Sequence, residues 1–174
     1  DPLYPVLLRF LKICFGDNLF FAVAAVQNIL SLLSVYFLTV YVTERVFGVR
    51  WLVSLIATVL TVPHLLTPLF SHTHIILTNK IMAEAIVFPI FYFFMLFLLK
   101  MIFEKDKLWK NSLITLGIAL VLALIKGQMM LMILIWAIVF AFLCFINKAY
   151  KRILTVVALF ILAMAARSLL CSTY

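Results

Sequence analysis

Hydrophobic residues form long runs along this chain, separated by short polar or charged stretches. An apolar helix crosses a hydrocarbon core of about 30 Å in about 20 residues, so runs of this length predict transmembrane helices. Five of the runs are long enough to span a bilayer, and the fourth is short. The pattern predicts an all-α fold, a polytopic transmembrane helix bundle in a single domain. The predicted membrane segments are residues 19–43, 51–70, 81–103, 113–125, 129–146 and 153–171.

The N-terminal stretch, residues 1–16, has a different pattern. It is short, and Arg9 and Lys12 lie three residues apart, on one face of a helix. A segment this short and charged is typical of an interfacial helix that lies among the lipid head groups rather than spanning the bilayer. Asp17 or Asn18 is then expected to cap the first membrane helix.

The sequence VLALIKGQMMLMI, residues 121–133, places Lys126 inside an otherwise apolar region. A single helix over residues 113–146 would be roughly 50 Å long and would hold this lysine near mid-membrane. A charge in that position costs a few kcal/mol. We therefore predict a helical hairpin, with Lys126 and Gln128 at its turn and Gly127 supplying the backbone freedom for the reversal.

Composition supports the membrane assignment and the charge distribution predicts an orientation. The 174 residues are 68% hydrophobic and only 11% charged, whereas soluble domains have roughly 25% charged residues. The links TERVFGVR, KMIFEKDKLWK and NKAYKR hold two, four and three basic residues, nine of the fourteen Lys and Arg. The positive-inside rule places these links in the cytoplasm and the hairpin turn at the outer surface. The net charge of +8 therefore does not indicate a nucleic-acid partner.

Polar side chains gather at the outer surface under this topology. Glu84 lies one turn inside the third segment, with Lys80 four residues earlier on the same face. An acid within a membrane segment indicates a functional group, although the two residues also fit a self-neutralising ion pair. Lys126 fits either a lysine that snorkels to the interface or a phosphate contact, and Arg167 either ends its helix or belongs to an outer loop. The other members of this predicted cluster are Asp1, Tyr4, Arg9, Lys12, His72, His74, Asn79 and Gln128.

Three stretches of the chain carry a resemblance to a known family. DPLYPVLLRFLKICFGDN, residues 1–18, resembles the outer stretch, juxtamembrane helix and GDN-like turn of GT-C superfamily membrane glycosyltransferases, such as the protein O-mannosyltransferases and the lipid A aminoarabinose transferases. LTNKIMAEAIVF, residues 77–88, is similar to the family's helix with an acid near its start. LALIKGQMM, residues 122–130, looks like its hairpin, with Lys126 in place of an arginine. The likeness covers the whole chain, mainly as a hydrophobic pattern.

The resemblance implies transfer of a sugar from a polyprenyl-phosphate donor to an acceptor at the extracytoplasmic face of the cell membrane, with inversion at the anomeric carbon. By the same resemblance, Asp1 and Glu84 are catalytic candidates, Tyr4 belongs to the first-loop motif and Lys126 contacts phosphate. Arg9, Lys80 and Gln128 are added as substrate-binding candidates from the topology. A divalent metal is left open as a cofactor, but no residue is assigned to it.

In the family, the best-marked catalytic acid precedes the PLYP stretch. The resemblance therefore implies that this chain is a piece of a longer protein. The piece would lack the first transmembrane helix and most of the first outer loop, and it would be inactive by itself. Two other classes stay open. A transporter or lipid flippase would use Lys80 and Glu84 as a gating pair, and an assembly subunit would expose small-residue packing faces, for which ALVLALIKG, residues 119–127, is a candidate.

Overall fold

The structure, a computed structural model, describes residues 3–47, 52, 55, 56, 59, 83–148 and 151–172. Nearly all of these residues are helical, and none lies in a β-strand. The predicted all-α fold is therefore confirmed. Four helical stretches are long and apolar enough to cross a membrane, namely Leu3–Arg45, Ala85–Phe103, Lys105–Ile125 and Gly127–Ile146.

The α-helices follow the predicted segments closely, with shifts of one or two residues at most ends. Of predicted segment 51–70, only residues 52, 55, 56 and 59 are described, and these are helical. The described helices are α1 (Leu3–Phe15), α2 (Leu19–Tyr41), α3 (Ala83–Phe103), α4 (Leu108–Ile125), α5 (Leu131–Ile146) and α6 (Lys151–Ser172).

The chain divides into two compact units. The N-terminal unit runs from Leu7 to Leu96, and the C-terminal unit contains Asp1–Val6 and Phe97–Tyr174. In the N-terminal unit, a single 3₁₀ turn, Gly16–Asn18, joins α1 to α2. Asn18 occupies the cap position of α2, but its side chain makes no capping hydrogen bond. The expected side-chain cap is absent because the chain enters α2 from a helical turn rather than from an extended segment.

Helix α2 buries one row of its polar side chains. Gln27, Ser31 and Ser34 lie at i, i+4 and i+7 on one face, and all three are buried. Leu32 and Leu33, which lie round the helix from that face, are exposed. A membrane helix meets lipid on its exposed side, so this distribution of apolar side chains outward and polar side chains inward fits a helix at the edge of a bundle.

In the C-terminal unit, α4 and α5 form the predicted antiparallel hairpin. The indole Nε1 of Trp136, in α5, donates to the carbonyl oxygen of Ser112, in α4, at 2.9 Å and lies 3.0 Å from its Oγ. One turn away, the ring of Trp109 meets that of Phe140 edge-on, with centroids 5.3 Å apart. Early residues of α4 thus contact later residues of α5, which is the pairing of a hairpin rather than of one continuous helix.

Helix α4 begins at Leu108, five residues before the predicted start at 113. With the preceding turn, the span Lys105–Ile125 has 21 residues. The prediction that this segment is too short to span a bilayer is therefore wrong. The polar residues at its start are satisfied inside the unit, which is why they fit in a helix. Asn111 donates from Nδ2 to the carbonyl oxygen of Lys100 at 3.2 Å, and Ser112 accepts the indole N–H of Trp136.

Helix α6 packs against both α5 and α4. The link before it begins with Asn147 and Lys148, and Lys148 has a φ of 53°. The N–H of Lys148 donates to the carbonyl oxygen of Phe145 at 3.0 Å, and the N–H of Asn147 donates to that of Leu143 at the same distance. These bonds close the C-terminus of α5 with a left-handed residue, a conformation that glycine normally supplies.

Candidate functional site at the hairpin end

The reversal between α4 and α5 occurs at Lys126. Its backbone is extended, with φ −145° and ψ 115°, while its N–H still donates to the carbonyl oxygen of Leu122 at 2.9 Å. Residues 127–130 form a 3₁₀ turn that leads into α5. Gly127, predicted to supply backbone freedom for the reversal, does not adopt a positive φ, and the break in the helical path lies at the extended backbone of Lys126. Lys126 is half-buried and Gln128 is exposed.

A second cation, Arg167 of α6, lies at the same end of the unit. Its Nε is 3.4 Å from the carbonyl oxygen of Ala123, in the last turn of α4, and its Nη1 is 3.3 Å from Sδ of Met130, at the end of the 3₁₀ turn. The guanidinium therefore contacts both sides of the hairpin turn. We refer to the turn, residues 123–130, together with Arg167 as the hairpin end.

One role of Arg167 follows from how α4 ends. The last four carbonyl groups of a helix have no partner within it, and the C-terminus carries a partial negative charge. Because Lys126 leaves the helical path, the carbonyl of Ala123 is among these groups, and Arg167 supplies both a donor and a positive charge. The contact is long for a hydrogen bond between nitrogen and oxygen, whose usual range is about 2.7–3.2 Å.

Arg167 retains unused binding capacity. A guanidinium has five N–H groups in a planar fork, and the two contacts to Ala123 and Met130 use two of them. None of the residues that the structure describes accepts the other three. Both contacted groups, a carbonyl and a thioether, are neutral, so the described part of the chain leaves the charge of Arg167 uncompensated.

The distribution of acids reinforces this charge imbalance. The last acidic residue in the sequence is Asp106, so α4, α5 and α6 contain no Asp or Glu. Glu104 and Asp106 belong to the α3–α4 link, which the antiparallel order of the helices places at the other end of the C-terminal unit. Lys105, Lys107 and Lys148 lie in the links at that other end and are exposed. The hairpin end is therefore cationic without a carboxylate from these three helices, a composition suited to a phosphate or another anion.

The fold and this site together define an α-helical membrane protein with a cationic turn at one end of a three-helix unit. The chain matches no family model, no curated protein and no solved structure.

The structure describes some of the sequence-predicted site residues more fully than others. Asp1 and Lys80 lie outside the described residues. Glu84 lies in the first turn of α3, within the N-terminal unit, and only its backbone is described. Arg9 is an exposed residue of α1, also in the N-terminal unit. Tyr4 is a half-buried residue of α1 that belongs to the C-terminal unit.

Lys126 and Gln128 share the hairpin turn, as predicted from the sequence. From the sequence, Arg167 fits either an outer loop or the end of a helix, whereas the structure places it inside α6, five residues before the helix ends at Ser172. The spacing along the chain could have indicated this contact, because Arg167 and Met130 are about equally far from the α5–α6 link. Two antiparallel helices bring such positions together. No group of three potential metal ligands occurs among the described residues, and His72 and His74 lie outside them.

Proposed function

We propose that this chain is part of a cell-membrane glycosyltransferase of the GT-C type, which transfers a sugar from a polyprenyl-phosphate donor at the extracytoplasmic face. The observation that carries the proposal is the hairpin end. There, Arg167 contacts only neutral groups among the described residues and lies at the turn that contains Lys126. A lipid phosphate bound there would keep its polyprenyl chain among the exposed apolar side chains of the helices.

The proposed reaction has a definite balance of atoms. An acceptor hydroxyl oxygen forms a bond to the anomeric carbon, and the bond between that carbon and the phosphate oxygen breaks. The bonding electrons leave with the polyprenyl phosphate, and the hydroxyl proton passes to a carboxylate. The family resemblance proposes Glu84, or an acid in a preceding outer loop, as the base. Cations at the hairpin end would stabilise the negative charge that grows on the leaving phosphate.

The proposal is tested with the longest form that the gene encodes, reconstituted in nanodiscs. The probes are polyprenyl-phosphate hexose and polyprenyl-phosphate aminopentose, and the measurement is release of polyprenyl phosphate. Because a hydrogen bond to a charged group contributes roughly 1.5–3 kcal/mol, we expect Lys126→Ala to lower turnover by about 10-fold to 100-fold. Glu84→Gln is expected to abolish most of the turnover, because the amide cannot accept the proton of the acceptor hydroxyl.

Lys107→Ala is the matched control, since it removes an exposed lysine from the opposite end of the C-terminal unit and should leave turnover unchanged. Insertion is followed by the yield of folded protein in the membrane fraction. Unchanged turnover in both Lys126→Ala and Glu84→Gln would remove the site assignment. Movement of the lipid across the bilayer without sugar release would instead favour a transporter or flippase.

A further inference from the structure

The amide of Gln27 lies inside the N-terminal unit without a partner. Gln27 is 1% exposed, and neither Nε2 nor Oε1 has a hydrogen-bond partner among the described residues. It is the ninth residue of α2, so it lies about 12 Å from the start of that helix. A buried amide without partners is costly in any protein interior, and the interior of a membrane helix bundle offers no bulk water to relieve that cost.

The hydroxyl groups near Gln27 along α2 do not compensate for it. Ser34 donates from Oγ to the carbonyl oxygen of Ser31 at 2.9 Å. This local bond satisfies the donor of Ser34 within its own helix. Ser31 and Ser34 thus extend the polar face of α2 for two turns beyond Gln27, while the amide itself still needs both donors and acceptors.

The chemistry of this face restricts what can bind. Helix α2 itself, Leu19–Tyr41, contains no acidic or basic residue. An ion would therefore find no counter-charge on this helix, whereas a neutral hydroxyl both accepts a hydrogen bond from Nε2 and donates one to Oε1. Water and the hydroxyl groups of a sugar share this chemistry.

We propose that the amide of Gln27 binds a neutral hydroxyl group inside the N-terminal unit, supplied by water or by a hydroxyl-bearing ligand, and that Ser31 and Ser34 line the same polar site. This site is separate from the hairpin end, and it does not depend on the proposed sugar transfer.

The first test is the sign of a stability change. Gln27→Met keeps the length of the side chain and removes the amide. If the amide binds a hydroxyl, the substitution breaks these hydrogen bonds and leaves the bound group unsatisfied, so Tm should fall by about 3–6 °C in nanodiscs. If the amide is simply buried without partners, its removal relieves a desolvation cost, and an unchanged or raised Tm overturns the proposal. Leu33→Met, at a position that is exposed on the lipid side of the same helix, is the control and should change Tm little.

The second test does not depend on the folding of the Gln27 variant. Ser31→Cys is introduced into a chain whose three native cysteines have been replaced by alanine, and a small hydrophilic thiol reagent is added. The expected result is labelling of Ser31→Cys at least ten times faster than that of Leu32→Cys, a control position that is 52% exposed on the lipid side. Equal, slow labelling at both positions overturns the proposal.

The same cysteine variant distinguishes the two sources of the hydroxyl group. Methyl glucoside and methyl mannoside are added before the thiol reagent. Slower labelling of Ser31→Cys in their presence indicates a hydroxyl-bearing ligand, and unchanged fast labelling indicates water. In either case turnover of the polyprenyl-phosphate sugar is measured separately, so that loss of this site and loss of the proposed transferase activity are distinguished.

Discussion

The indole N–H of Trp136 is shared between the carbonyl oxygen of Ser112 at 2.9 Å and the Oγ of the same residue at 3.0 Å. Both residues are fully buried, so this contact joins α4 to α5 in a part of the unit that neither water nor lipid reaches. A small residue on α4 makes room for the largest side chain on α5, and the same small residue supplies the acceptors for its N–H group.

Replacing Trp136 with phenylalanine should therefore destabilise the C-terminal unit. The substitution removes the donor and leaves the buried groups of Ser112 with one partner fewer. The expected loss is about 1–3 kcal/mol, or roughly 3–9 °C in Tm, followed by circular dichroism in detergent. Phe142→Leu is the control, because Phe142 is exposed. A loss in the control as large as that in Trp136→Phe would contradict the assignment.

Variants of Arg167 should separate its capping role from its charge. Arg167→Gln retains an N–H donor for the carbonyl of Ala123 but removes the charge, whereas Arg167→Leu removes both. We expect the glutamine variant to keep its Tm within about 2 °C but to bind vesicles containing polyprenyl phosphate about 10-fold more weakly. The leucine variant should lose both stability and binding. Equal binding by the wild type and Arg167→Gln would show that the charge is not used for phosphate.

Lys148 should be replaceable with a gain in stability. Its φ of 53° costs a residue with a Cβ roughly 1–2 kcal/mol, whereas glycine adopts this conformation freely. Because glycine also loses more chain entropy on folding, we expect Lys148→Gly to raise the stability of the C-terminal unit by about 0.5–1 kcal/mol. Thermal unfolding of the two proteins in the same detergent measures the difference. Asn147→Gly, one position earlier, should bring no comparable gain.

The orientation of the hairpin is open to direct measurement. The positive-inside rule predicts that Gln128 faces the outside and that Lys107 faces the cytoplasm, and both residues are exposed. In a background without native cysteines, a membrane-impermeant maleimide added to intact cells should label Gln128→Cys but not Lys107→Cys. The reverse pattern would invert the topology and place the hairpin end on the cytoplasmic side, where the proposed extracytoplasmic reaction cannot occur.

The helical fold and the hairpin could be predicted because they depend on the lengths of the hydrophobic runs, which can be read from the sequence. The start of α4 could not. The residues Lys110, Asn111 and Ser112 are polar and therefore indicated a loop, since the carbonyl of Lys100 and the indole of Trp136 that satisfy two of them come from other helices. Partners that are distant in sequence are invisible to a local pattern.

The candidate site was predicted in part for a similar reason. A lysine interrupting an apolar run stands out in a sequence, and Lys126 was found in this way. Arg167 lies near the end of such a run, where a basic residue is common. Its place in the site depends on its contacts with the last turn of α4 and with the 3₁₀ turn before α5. Gln27 could not be predicted as a site residue, because one amide in a long apolar helix matches no motif. Its burial and lack of a partner are properties of the folded unit.

Gly16, between α1 and α2, has a φ of +53°, and a methyl group added at this residue would meet no atom within 4 Å. Substitution there is therefore opposed by backbone conformation alone and not by crowding. An alanine would favour a right-handed path and merge α1 with α2 into one rod spanning residues 3–41, roughly 58 Å long. Such a rod is nearly twice as long as a bilayer's oily layer is thick. The single hydrogen that Gly16 carries in place of a side chain thus keeps α1 and α2 as two helices joined by a turn, neither of them longer than about 35 Å.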